Sequence, residues 1–186
     1  MRTRKNQTKL YRLKKGVVVT YRPFKLGDAA ACSRLVFGNF KGMLGGSVHG
    51  KEARQIYSEQ NLPKVAKERD YHVAEVRGEV VGVMGFLSYD AKVVEVSNLA
   101  VDTGIQGKGI GTLLVVLGML GKIESGISRF IVYTNDRSRS IFVRFGFQKN
   151  DKLPASVIGE DSVPMEVEAS ALLRRKLEQT LEGIIE

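Results

Sequence analysis

Runs of β-branched and aromatic residues, separated by glycine-rich turns, organise the first two thirds of the 186-residue chain. Val17–Arg22 reads as a strand that Pro23 ends, and Tyr71–Val76 and Glu79–Leu87 read as two more. Between those two, Arg77-Gly78 is a short hairpin turn. Lys92–Val101 continues the group as a third long strand, and Arg129–Thr134, Phe147–Lys149 and Ser162–Val167 are shorter ones. Pro164 would put the last of these at a sheet edge, because proline cannot donate to a ladder. Helical spacing appears elsewhere. Asp28 can cap a helix over Ala29–Val36, and Lys51–Arg69 reads as a polar helix broken near Pro63. Gly109–Ser125 is a strongly apolar helix, Arg137–Phe145 a short one, and Glu168–Ile185 an amphipathic one. The stripe of Leu173, Leu177, Leu181 and Ile184 on the last is read as a docking face, with a homodimer seam as the alternative. Five glycines between Gly38 and Gly50 mark a loop. An antiparallel run followed by strand–helix–strand–helix–strand predicts an α/β fold: a mixed sheet with helices on its faces.

Charge divides the chain differently. Residues 1–25 carry nine Lys and Arg and no Asp or Glu, while the rest holds 20 of each sign out of totals of 29 and 20. The body is therefore neutral. Residues 1–16 read as a basic arm, either solvated or in contact with RNA, a ribosome or an acidic partner. The longest uncharged run, Gly109 to Gly121, has 13 residues, short of the about 18 a membrane span needs. No secretory pattern follows the N-terminal cations, so the expected location is the cytoplasm, with no membrane contact. Cys32 is the only cysteine and reads as an inert core thiol. His49 and His72 lie far apart and no metal-ligand cluster is apparent, so no metal site is expected.

The stretch Glu95 to Leu114 carries the chemistry. A strand enters a turn with glycines at 107, 109 and 111, and that turn opens the apolar helix. The first amides of a helix lack intrahelical partners and hold about half a positive charge. Glycines remove the Cβ atoms that would keep a phosphate away, and Lys108 adds a formal charge. A Walker loop is excluded because Gly109, not Ser or Thr, follows Gly107-Lys108; a dinucleotide fingerprint is excluded by the glycine spacing.

These residues resemble the GNAT superfamily of N-acetyltransferases. Its pyrophosphate loop reads Gln/Arg-x-x-Gly-x-Gly/Ala, matched by Gln106, Gly109 and Gly111. Asn98-Leu99-Ala100-Val101-Asp102 before the loop is family-like, and so is the stretch from Asn135 to Phe147 ending Phe145-Gly146-Phe147. The resemblance covers residues 17–168, which would form the acyltransferase domain, with residues 169–186 as an added C-terminal helix. It implies a mostly antiparallel central sheet with two splayed parallel strands, and helices on both faces.

It also implies a cofactor, acetyl-coenzyme A, and direct attack of an amine acceptor on the thioester. Carried over residue by residue, Leu99, Ala100 and Val101 would meet the pantetheine arm. Gln106, Gly107, Lys108, Gly109, Ile110, Gly111 and Thr112 would meet the pyrophosphate, and Asn135, Ser138 and Phe142 would complete the cofactor site. A backbone amide near Leu99 would act on the carbonyl as oxyanion donor. Glu95, expected on one face with Ser97 and Leu99, is the candidate base. Phe142 stands where the family often carries a tyrosine acid, so Tyr133 or water would give the proton. Two other readings remain: a non-catalytic acyl-CoA-binding or sensor protein, and an RNA- or ribosome-associated protein working through its basic arm.

Overall fold

A computed structural model describes residues 8–40, 48–154 and 162–186. Among these residues eight strands form one sheet: β1 (Lys9–Leu13), β2 (Val17–Pro23), β3 (His72–Val76), β4 (Glu79–Ser88), β5 (Val93–Val101), β6 (Arg129–Thr134), β7 (Gln148–Lys149) and β8 (Val163–Glu168). Their spatial order is β1-β2-β3-β4-β5-β6-β8-β7. Every neighbouring pair is antiparallel except β5 and β6. The helices are α1 (Ala29–Phe40), α2 (Val48–Ile56), α3 (Leu62–Glu68), α4 (Ile110–Glu124), α5 (Asp136–Arg144) and α6 (Ala171–Ile184).

Two apolar clusters sandwich the sheet. On one face α4, α5 and α6 pack through residues such as Leu113, Met119, Phe142, Phe145 and Leu177 onto Met84, Phe86 and Val96. On the other, α1 and α3 bury Val36, Leu62 and Val65 against Val73, Val83 and Ala100. α4 lies between the sheet and α6, which explains why it is apolar nearly all round. Leu173 and Leu177 of α6 are buried, so the C-terminal stripe is a docking face within the chain. Cys32 is fully buried and its thiol is pushed up to about 12 by burial, as an inert core cysteine requires.

Several boundaries differ from the sequence reading. The basic segment is not all arm: Lys9–Leu13 pairs with β2 as an edge strand. Only Leu13 in it is buried, so no hydrophobic alternation marks it, and its lysines and arginine suit an exposed edge. Residues 1–7 lie outside the described residues. The glycine-rich stretch is not all loop, because α1 continues to Phe40 and α2 starts at Val48; residues 41–47 lie outside the described residues. Pro63 does break the following helix, falling in the first turn of α3. Pro164 is not on an edge strand, since β7 pairs beyond β8. Its carbonyl accepts from Asn150 N–H at 3.0 Å on the β7 side, so the missing N–H falls where β7 has just ended.

Candidate active site

The parallel pairing of β5 with β6 runs from Val93–Arg129 to Val96–Val132 and then stops. Beyond it the two strands part, each still held by its outer neighbour. A bulge explains the divergence. The β4–β5 register shifts between Val83 and Gly85, and Asn98 on β5 adopts φ +53°. An extra residue there bends the strand and increases its twist.

The bulge also reverses the side-chain alternation. Val94 and Val96 face the α4 side, and beyond the bulge so do Leu99 and Val101. Glu95, Ser97 and Ala100 face the α1 side, as the pairings Gly85–Ser97 and Val83–Ala100 and the burial of Ala100 against α1 show. The expectation that Glu95 and Leu99 share a face is therefore wrong. Ala100 turns its side chain away from the gap and is buried in the second cluster. Main-chain groups alternate as well. Asp102 N–H donates to Val81 O on β4, so Val101 faces the gap, where its carbonyl accepts from Gln106 Nε2 at 2.9 Å. Leu99, two residues earlier, presents its main chain the same way.

Past β5 the chain makes a short turn over Thr103–Ile105, fixed by Gly104 N–H donating to Asp102 Oδ1 at 2.8 Å. Gly107 and Gly109 follow with φ of +74° and +93°, the left-handed conformation that glycine adopts without strain. Gly109 is the N-cap of α4 and offers no side-chain cap, so the first amides of α4 are not closed off by a capping side chain. A single cavity of about 580 Å³ runs from Glu95 along the gap to this helix start. Gln106, Gly107, Gly109, Ile110, Gly111 and Thr112 all line it.

Lys108 does not. It is exposed and absent from the cavity wall. The cation at this end is Lys15, from the turn between β1 and β2, whose Nζ donates to Gly107 O at 2.7 Å. No local motif signals Lys15; only the sheet order brings it to the loop. Among the described residues, the wall carries three cations, Lys15, Arg69 and Arg144, and one carboxylate, Glu95, so the cavity favours an anionic guest.

At the other end Tyr89 Oη donates to Glu95 Oε2 at 2.7 Å, and Arg69 approaches Glu95 Oε1 at 3.9 Å. Tyr133 lines the same end, on the Glu95 side of the sheet, and donates to Pro154 O at 3.0 Å. Burial, then the Glu95 charge, raises its phenol pKa above the ordinary value, at which a tyrosine is already protonated at neutral pH. Asn135 and Ser138 line the cavity while capping α5: Asn135 Oδ1 accepts from Ser138 N–H at 3.0 Å. Phe142 also reaches the wall, but its ring is 1% exposed and packs edge-on against Phe147 at 5.2 Å.

A model of the acetyltransferase (GNAT) family matches residues 46–147, more than half of the chain. An uncharacterized N-acetyltransferase of Chlorobaculum tepidum is 30% identical over 129 residues, 69% of this chain and 74% of that protein. The chain belongs to the GNAT family of N-acetyltransferases.

Solved structures share the GNAT fold. The PaiA N-acetyltransferase of Thermoplasma acidophilum, in complex with coenzyme A, superposes with a TM-score of 0.66 at 17% identity, covering 81% of this chain and 98% of that one. RimJ of Mycobacterium smegmatis, in complex with CoA-disulfide, gives 0.68 at 19% identity over 93% of each chain. Set in this GNAT frame, the parted strands and the glycine-rich helix start belong to one cavity. Glu95, Leu99, Val101, Tyr133 and the loop residues other than Lys108 meet there, whereas Ala100 points elsewhere.

Proposed function

We propose that this GNAT protein transfers an acetyl group directly from acetyl-CoA to an amine. The observation that carries this reading is the continuity of the β5–β6 gap with the glycine-rich start of α4 in one cavity. The shape and the donors fit the guest. The α4 amides and Lys15 would hold the diphosphate, and the main chain of Leu99 and Val101 would pair with the amides of the pantetheine arm. Acetyl-CoA, when bound, supplies the acetyl group as a thioester.

The chain's own groups then manage protons and position. An ammonium has no lone pair, so it must lose a proton before it can attack. Glu95, held by Tyr89 and Arg69 at the end of the gap, takes that proton. The main-chain N–H of Leu99 faces the gap and donates to the carbonyl oxygen as negative charge develops on it. Phe142 has no proton to give, and Tyr133, whose phenol is protonated at neutral pH, returns one to the leaving sulfur.

Thiol release from acetyl-CoA over a panel of amines tests the reading. Glu95→Gln lowers turnover by about 100-fold and Tyr133→Phe by about tenfold, each with coenzyme A affinity unchanged. Phe142→Tyr leaves that affinity within a few-fold. Coenzyme A binding without thiol release for any amine would make the protein a binding module and not an enzyme.

A further inference from the structure

The Glu95 end of the cavity carries polar groups that the transfer reaction leaves unused. Tyr57 is 2% exposed and Ser97 7% exposed, and both hydroxyls are buried with no hydrogen-bond partner among the described residues. Asn98 Oδ1 is buried and unpartnered in the same sense. All three residues line the cavity. An unpartnered buried polar group costs about 1–3 kcal/mol, so three around one space point to a ligand that satisfies them.

Arg69 gives the ligand its chemistry. Its side chain is 20% exposed and lines the cavity, and its ion pair with Glu95 is long, at 3.9 Å. A guanidinium and a carboxylate at that spacing match the two charged ends of a zwitterion. Polyamines do not fit, because a second cation would meet Arg69. A peptide N-terminus fits less well, because its neighbouring amide brings Arg69 no anion beyond Glu95, which the bound ammonium would then share.

We propose that the acceptor is a free amino acid, its ammonium group at Glu95, its carboxylate at Arg69, and its remaining hydrogen bonds made to Tyr57, Ser97 and Asn98. This rests on the acetyl-transfer reading. In the transfer the nitrogen–acetyl bond forms and the thioester carbon–sulfur bond breaks. Of the two protons the ammonium loses, one leaves through Glu95 to solvent and one ends on the coenzyme thiol.

The test compares the standard L-amino acids with their carboxamides, spermidine and a short peptide, reading thiol release. Calorimetry of the same compounds against the protein saturated with coenzyme A gives a second readout. At least one amino acid is expected to bind and react at least about tenfold better than its carboxamide. Arg69→Gln raises the KM for that amino acid at least about tenfold, changes the KM for the carboxamide far less even though Arg69 also holds Glu95, and is partly rescued by Arg69→Lys. Should Arg69→Gln fail to fold, the acid–carboxamide contrast in the native protein still decides. Equal reaction of acids and carboxamides, or a preference for spermidine or the peptide, overturns the proposal and leaves acetyl transfer standing. Failure to bind coenzyme A at all would instead remove the reading beneath it.

Discussion

Lys15 Nζ donates to the Gly107 carbonyl oxygen over 2.7 Å, so a residue from the turn between β1 and β2 touches the loop that opens α4. The contact brings a cation to the cavity end where the helix amides lie. Lys15 is exposed, so its charge is partly screened. Lys15→Ala is expected to weaken coenzyme A binding roughly fivefold, about 1 kcal/mol, with Lys15→Arg near native. The loss shrinks as salt rises. Lys108→Ala, on the outer side of the loop, changes affinity less. Calorimetry of the three variants decides, and a larger effect at Lys108 would return the role to that residue.

What the sequence made legible follows from where each signal lies. The glycine spacing at 107, 109 and 111 is a local signal with a local cause, and it marked the helix start correctly. The Arg77-Gly78 turn was equally plain, and both residues have positive φ, as a tight hairpin demands. β1 was hidden because an edge strand with one buried residue has no apolar face to display. The face of Glu95 was misjudged because a bulge at Asn98 breaks the two-residue period; asparagine tolerates the positive φ seen there, but a single asparagine in an apolar run does not announce a bulge by itself. Lys15 and Arg69 reach the cavity only through long-range topology.

α4 tests the packing account through two of its glycines. A Cβ at Gly118 would lie 2.7 Å from the Phe86 ring and closer still to Met84, whereas one at Gly121 would meet nothing within 4 Å among the described residues. Gly118→Val is expected to cost about 2 kcal/mol through overpacking. Gly121→Ala gains about 0.5–1 kcal/mol from helix propensity. Urea unfolding checks both, and a stabilised Gly118→Val would show that α4 sits farther from β4 than described.

Acid stability has a defined source in a buried ion pair. Arg22 donates to Asp28 at 2.7 and 2.9 Å and to Glu75 at 2.9 Å. Burial alone would raise the Asp28 carboxyl, but the hydrogen bonds from Arg22 and from Lys25 N–H hold it below its ordinary value. A carboxylate depressed in the folded state stabilises fully above its unfolded pKa of about 3.9, and the contribution is lost as pH falls through the folded value. Asp28→Asn should therefore cost about 3 kcal/mol at neutral pH, with the difference from wild type shrinking below about pH 4. The same penalty in urea at neutral and acid pH would contradict this assignment.

The most direct measurement is calorimetry of coenzyme A against the wild type and Gly111→Asp. Among the described residues a Cβ at Gly111 meets only Val101 Cγ2, at an ordinary 3.6 Å, and an acid in the first turn complements the helix dipole. The variant is therefore expected to melt no lower than wild type. Its carboxylate would nevertheless oppose a diphosphate at the α4 amides, and affinity should fall by about 100-fold or more. Saturable heat from the wild type and its loss in this folded variant is the predicted result. No heat from the wild type, or equal affinity in the variant, would contradict the account.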